Sequence, residues 1–210
     1  MRKQVFNWSA FKQVPIVGII RNISMEQVME VLPLYLEAGL TTVEISLTTP
    51  HALSIIEAAR TRFEQLNIGA GTVCDANDLT DSLRAGAQFV VSPITDERLI
   101  TTCREQEIPV FPGAFTPTEI YRAWKAGATM VKVFPSSLGP QYIKDIKAPL
   151  PNIKLLPTGG IGLDNLSTYI ATGADGFGIA SQLFDRKMMA GGNPAKLLEH
   201  FAAYTRFFAR

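Results

Sequence analysis

The chain has 210 residues, 47% of them apolar and 19% charged, with 20 basic residues against 19 acidic ones. Such a composition suits a folded domain with a sizeable core and argues against disorder. With no basic block anywhere, nucleic acid and anionic membrane are poor partners, while a small anionic ligand stays possible.

In chain order, the opening MRKQVFNWSAFKQV carries no long apolar run, so it is not read as a secretory signal. It reads as a short amphipathic helix with Phe6 and Phe11 turned inward. A phrase then recurs four times: a helix ending on glycine (Gly39, Gly86, Gly127, Gly173), a short loop, and a buried strand around Val43, Val90, Val131 and Phe177. Glycine suits the position after a helix, where positive φ is common. The glycines lie 47, 41 and 46 residues apart. One helix plus one strand needs only about 20–25 residues, so a further strand is expected inside each interval. Apolar runs at 14–20, 67–71, 109–111 and 153–156 supply them. Helical patterns lie between, over 25–37, 53–65, 76–84, 96–105, 118–125, 142–147 and 164–171, with a last helix over about 194–208. Alternating strands and helices imply a parallel sheet. Eight such units in one domain spanning 1–210 predict a compact (β/α)8 TIM barrel with a short N-terminal helix, and a doubly wound open sheet is the runner-up. No stretch reaches the length of a membrane span. Cys74 and Cys103 stand outside any CxxC pair, which fits a reducing cytoplasm.

Parallel strands are covered on both faces and should be apolar. Two break the rule: Glu44 within Val43-Glu44-Ile45 and Lys132 within Val131-Lys132-Val133. Both charges fall late in their strands, at the end where barrel active sites are built. Burial drives a lysine towards its free amine, the form that attacks a carbonyl to make a Schiff base. Glu44 would then supply acid/base function. A structural Lys132–Glu44 ion pair is the open alternative at this point. Arg21, just past the first strand, has the planar fork that suits a carboxylate, or is simply solvated. Gly69-Ala70-Gly71-Thr72 leaves room at the strand end and offers the Thr72 hydroxyl, although a tight turn also wants glycine. Thr158-Gly159-Gly160 after strand seven and Gly178-Ile179-Ala180-Ser181 after strand eight sit where barrels commonly hold a phosphate. His51 and His200 join no cluster with metal-ligand spacing, so no metal is expected, and no nucleotide-binding glycine motif points to another cofactor.

Together these segments resemble the class I 2-keto-3-deoxy-6-phosphogluconate, 2-keto-3-deoxy-6-phosphogalactonate and 4-hydroxy-2-oxoglutarate aldolases. The resemblance runs from about Val14 to Phe208, through Ile19-Ile20-Arg21, Val43-Glu44-Ile45, Gly69-Ala70-Gly71-Thr72-Val73, Val91-Ser92-Pro93, Phe111-Pro112-Gly113, Val131-Lys132-Val133-Phe134-Pro135 and Pro157-Thr158-Gly159-Gly160-Ile161. It implies Lys132 as Schiff-base lysine and Glu44 as general acid/base. It implies Arg21, Thr72 and Pro93 at the pyruvate end, Thr158 near the substrate chain, and Gly159, Gly160 and Ser181 at the phosphate. It also implies no metal, a homotrimer, and pyruvate with D-glyceraldehyde 3-phosphate as products. Where the phosphogluconate type reads Leu-Arg-Thr, this chain reads Leu47-Thr48-Thr49, and its segment from Phe134 to Lys144 is similar to the phosphogalactonate type; Thr158 is the residue usual in the phosphogluconate type. The longer segment favours the galactonate epimer. Two rival functions are a phosphate-binding barrel isomerase or synthase with Glu44 as a simple base, and a barrel that only binds a phosphorylated acid.

Overall fold

A computed structural model describes residues 5–209, so residues 1–4 of the expected N-terminal segment and residue 210 lie outside the described residues. The elements run α1 (Trp8–Gln13), β1 (Ile16–Ile20), α2 (Met25–Glu37), β2 (Thr42–Ser46), α3 (Ala52–Arg62), β3 (Asn67–Gly71), α4 (Ala76–Arg84), β4 (Val90–Val91), α5 (Glu97–Glu105) and β5 (Val110–Phe111). They continue β6 (Gly113–Ala114), α6 (Pro117–Ala126), β7 (Val131–Val133), α7 (Gly139–Lys147), β8 (Leu155–Pro157), α8 (Leu166–Ala171), β9 (Phe177–Ile179), α9 (Arg186–Ala190) and α10 (Pro194–Thr205).

The helix starts follow local chemistry. Ser24 with Gln27 and Thr116 with Glu119 form reciprocal capping boxes, and Asp75 and Asp96 cap α4 and α5. The four repeat glycines all have positive φ: Gly39 +88°, Gly86 +94°, Gly127 +112° and Gly173 +78°. Helix α9 is an element the sequence pattern does not predict. It is one short turn capped by Asp185, too brief for any periodicity to register.

All strand pairs are parallel. One sheet has six strands in the order β5-β4-β3-β2-β1-β9, and a second has three, β6-β7-β8. The predicted fifth strand is thus divided into β5 and β6. Pro112 stands between them, with no N–H to give a ladder, although its carbonyl accepts from Lys132 N. A single parallel bridge, Thr158 to Gly178, links the two sheets on the other side.

Strand alternation sorts the side chains into two environments. Val43, Ile45, Ile68, Val90, Val131 and Val133 face the helices and join a core with Val31, Leu32, Ile55 and Ile56. The opposite face begins with a floor at the N-terminal ends: Val17, Phe89, Phe111, Met130 and Leu156, closed by Phe6 and Phe11 from the chain's start. Two residues further along these strands stand Ile19, Val91, Lys132 and Thr158, with Glu44 likewise two beyond Thr42. Another two bring Arg21, Ser46, Pro93 and Phe134. Arg21, Glu44, Pro93, Lys132 and Thr158 therefore lie on one face, in the layers above an aromatic floor, while Thr72, Gly159, Gly160 and Ser181 stand in the loops that follow β3, β8 and β9.

Candidate active site

Glu44 and Lys132 are 1% and 3% exposed. The ion pairs among the described residues are Arg84–Asp81 and Lys147–Asp175, so the structural Lys132–Glu44 pair is not formed. Glu44 Oε2 is buried without a hydrogen-bond partner. Lys132 Nζ lies 4.9 Å from the centroid of the Phe134 ring, a cation–π arrangement. Burial raises the Glu44 carboxyl above the usual carboxylate range, opposed by the charges of Lys132 and Arg21. Burial lowers Lys132, opposed by Glu44 and reinforced by Arg21. Both groups are pushed towards neutral forms, a carboxylic acid and a free amine. A carbonyl compound brought here meets a nucleophile and a proton donor at once.

Glycine makes the space. Gly71 pairs with Ser46 in the ladder, and a Cβ there would stand 2.5 Å from Glu44 Oε1. At Gly113, paired with Lys132, a Cβ would collide with the Pro93 carbonyl oxygen. Thr158, buried, donates from Oγ1 to Leu156 O at 3.3 Å and fills the place a side chain at Gly178 would take.

Thr72 follows β3 with φ +63°, a region that β-branched residues rarely adopt. Its hydroxyl lies 2.7 Å from Ser46 Oγ, which lies 2.9 Å from Thr48 Oγ1. Arg21 is exposed just past β1 and, with Ser181, lines a hollow of about 240 Å³ that Ile19, Phe184 and Arg186 also border. Pro93 lines a separate hollow of about 440 Å³ with Phe134. Gly159 and Gly160, at φ +105° and +71°, are exposed in the loop after β8 and border neither hollow. Asn165 braces that loop by donating to Gly160 O and accepting from Gly162 N.

Two residues at this end escaped the sequence reading. Ser46 was findable, since it stands one strand period beyond Glu44. Arg186 was not, because it begins the unpredicted α9; its Nη2 reaches Asn22 O at 3.4 Å. The hollow of about 340 Å³ between α2 and α10 contains Val31, Leu34, Met188 and Leu197 but none of the residues above. His51 is exposed at the start of α3, and His200 Nε2 lies 3.0 Å from Gln182 O. Among the described residues no group of three or more His, Cys, Asp or Glu could hold a metal ion, and no helix is long and apolar enough to cross a membrane.

The sequence matches the family described as KDPG and KHG aldolase over residues 8–199. It is 33% identical to the 2-dehydro-3-deoxy-6-phosphogalactonate aldolase of Escherichia coli over 93% of this chain and 95% of that protein. It is 35% identical to the 2-dehydro-3-deoxy-phosphogluconate aldolase of Pseudomonas aeruginosa over 73% of this chain and 72% of that one. A solved structure described as native KDPGal superposes with a TM-score of 0.84 at 32% identity, covering 92% of this chain and 94% of its own.

Proposed function

The chain belongs to the KDPG and KHG aldolase family, and from that premise we propose that it is a Schiff-base aldolase, a carbon–carbon lyase that cleaves a 2-keto-3-deoxy-6-phosphoaldonate to pyruvate and D-glyceraldehyde 3-phosphate. The observation that carries the reading is a buried amine and a buried carboxyl that feel each other's charge yet form no ion pair.

The Lys132 amine adds to the C2 carbonyl, and the carbinolamine loses water to give a protonated imine. That cation is the electron sink for the next step. Glu44, with its raised affinity for protons, delivers the proton that makes the departing hydroxyl into water. As a carboxylate it then takes the proton from the C4 hydroxyl. The C3–C4 bond breaks, its electrons forming the enamine of pyruvate on Lys132, and C4 leaves as the aldehyde of D-glyceraldehyde 3-phosphate. Glu44 returns the proton to C3, and water hydrolyses the imine to free pyruvate and the amine. Arg21 and Thr72 hold the carboxylate, Pro93 lines the pyruvate end, and Thr158 meets the substrate chain. The N–H groups of Gly159 and Gly160, with Ser181, hold the phosphate. In support of an anion at Ser181, Arg186 borders the same hollow.

The galactonate epimer is the preferred substrate in this reading. The segment from Phe134 to Lys144 supports it, as does the phosphogalactonate relative aligned over 93% of the chain. The gluconate epimer is the second reading, favoured by Thr158 and the Pseudomonas aeruginosa relative. The fold is taken as one domain, a closed (β/α)8 barrel in which β5 and β6 form a single strand interrupted at Pro112 and the Thr158–Gly178 bridge joins β8 to β9. A cytoplasmic homotrimer completes the reading, with exposed Ile94, Tyr121 and Leu138 as apolar surface available for contact.

Incubation with pyruvate and borohydride should leave a reduced adduct on Lys132, visible by intact mass and absent from Lys132→Ala. A wild-type chain without adduct, or an adduct that survives the substitution, would remove the Schiff base from the mechanism. Catalytic efficiencies measured side by side on the two epimers decide between them.

A further inference from the structure

The hydroxyls of Thr48, Ser46 and Thr72 form a chain at the C-terminal ends of β2 and β3. Ser46 Oγ lies 2.9 Å from Thr48 Oγ1 and 2.7 Å from Thr72 Oγ1. Ser46 is fully buried and makes no other side-chain hydrogen bond among the described residues, whereas Thr48 is exposed and Thr72 half-buried. A hydroxyl has one proton to donate and two lone pairs to accept with. Buried between two contacts, Ser46 has to place its single proton in one of them.

That makes the chain directional. If Ser46 donates to Thr72, then Thr48 donates to Ser46. The Thr72 proton is then free for a ligand, and Thr48 offers only lone pairs. If Ser46 donates to Thr48, the roles reverse. One terminal hydroxyl at a time presents a donor, and hydrogen bonds in such chains polarise one another. We propose that Ser46 is a positioning residue that couples the two ends of the substrate site. An anionic oxygen at Thr72 draws the chain into its first state, and Thr48 then accepts a hydrogen bond from a substrate hydroxyl further along. The chain thereby selects 2-oxo acids whose tail carries a hydroxyl at that point over tails that present a carboxylate or carbonyl there. The inference rests on the Schiff-base reading, in which Thr72 faces the carboxylate of the 2-oxo acid.

The sign of one substitution distinguishes coupling from simple support. In Thr48→Val the second acceptor is gone, so the Ser46 proton stays on Thr72 and the Thr72 proton is always available. The pyruvate concentration that half-saturates borohydride trapping should fall by about two-fold, since a conformational competitor is removed. Over the same variant, kcat/KM for cleavage of the hydroxylated substrate should drop by about ten-fold, from the lost tail contact. Ser46→Ala should instead raise the half-saturating pyruvate concentration by about ten-fold, because Thr72 loses the neighbour that orients its hydroxyl and polarises it towards an anion. Thr48 is exposed, so its variant reads out even if Ser46→Ala folds poorly. Adduct in the wild type with Thr48→Val unchanged or weakened towards pyruvate overturns the coupling alone. No adduct in the wild type overturns the Schiff-base reading and the coupling with it.

Discussion

At the floor, the rings of Phe6 and Phe89 meet edge to face at 5.3 Å, and Phe11 stacks on Phe111 at 6.4 Å. The polar residue among them is satisfied: the Asn67 amide accepts from Asn7 N and donates to Asn7 O and Thr42 Oγ1. One step along the same strands Glu44 and Lys132 are as deeply buried, yet Glu44 Oε2 has no partner and neither group has an ion pair. The two layers share strands, helices and burial, and differ in whether polar groups are matched. The floor is arranged for stability. The layer above keeps a buried carboxyl and a buried amine that form no ion pair with each other, the kind of stability cost that a site for a ligand carries.

Removing the unmatched charges tests that contrast most severely. Lys132→Met should abolish turnover, a loss of about 10⁵-fold, while raising stability by about 1 kcal/mol and the melting temperature by about 2–4 °C. Lys132 has a folded-state pKa below its unfolded value, so the stability it contributes is complete above the unfolded pKa and is lost as pH falls through the folded one. The gain in the methionine variant should therefore grow as pH is lowered, and calorimetry over a pH series reads it. Glu44→Gln should cost about 10³-fold in kcat. It also removes the negative charge that holds Lys132 up against burial. The rising limb of adduct formation should then move to lower pH. A limb that did not move would mean that Lys132 does not feel the Glu44 charge, and a methionine variant less stable than wild type would mean that the two groups are a stabilising pair after all.

These two residues were legible in the sequence for the reason that makes them costly: a charge inside an apolar parallel strand needs either a partner or a chemical role. The repeat glycines were legible as well, since a helix end demands positive φ whatever packs beside it. The place of Ser46 on the site face was legible from the strand period beyond Glu44, but its role was not, because serine fits any strand end and only the distances to Thr48 and Thr72 reveal the chain. Arg186 depends on α9, whose single turn leaves no period to detect. The division of the fifth strand depends on Pro112 within Phe111-Pro112-Gly113. A proline after a short apolar run reads equally as the strand's end, and the ladder resuming at Gly113 is a tertiary fact.

Phe89→Ala probes the other side of the comparison. Phe89 is fully buried among Phe6, Phe111 and the other floor residues. Truncation leaves a cavity worth about 3–5 kcal/mol. Equilibrium denaturation should show that loss, while kcat/KM of the folded protein stays within about two-fold of wild type because no reacting group is touched. A large fall in kcat at full folding would mean that the floor sets the geometry of Lys132 above it.

The sharpest comparison is between two glycines of β3. A Cβ on Gly69 would stand 2.5 Å from the Phe89 ring, and a Cβ on Gly71 would stand 2.5 Å from Glu44 Oε1. The clash is equally close, but the neighbours differ in what they can yield. The Phe89 ring is locked among other rings, so Gly69→Ala should cost about 1–3 kcal/mol of stability as the floor repacks. The Glu44 carboxyl is the free end of a flexible side chain and can rotate aside, so Gly71→Ala should cost less than about 1 kcal/mol. A carboxyl displaced by even about 1 Å no longer meets the reacting carbon, so the same variant should lose about ten-fold or more in kcat. Two methyl groups on one strand would then separate stability from activity. If Gly71→Ala instead lowers stability as much as Gly69→Ala and leaves kcat intact, Glu44 is held as rigidly as the floor, and the distinction between the two layers fails.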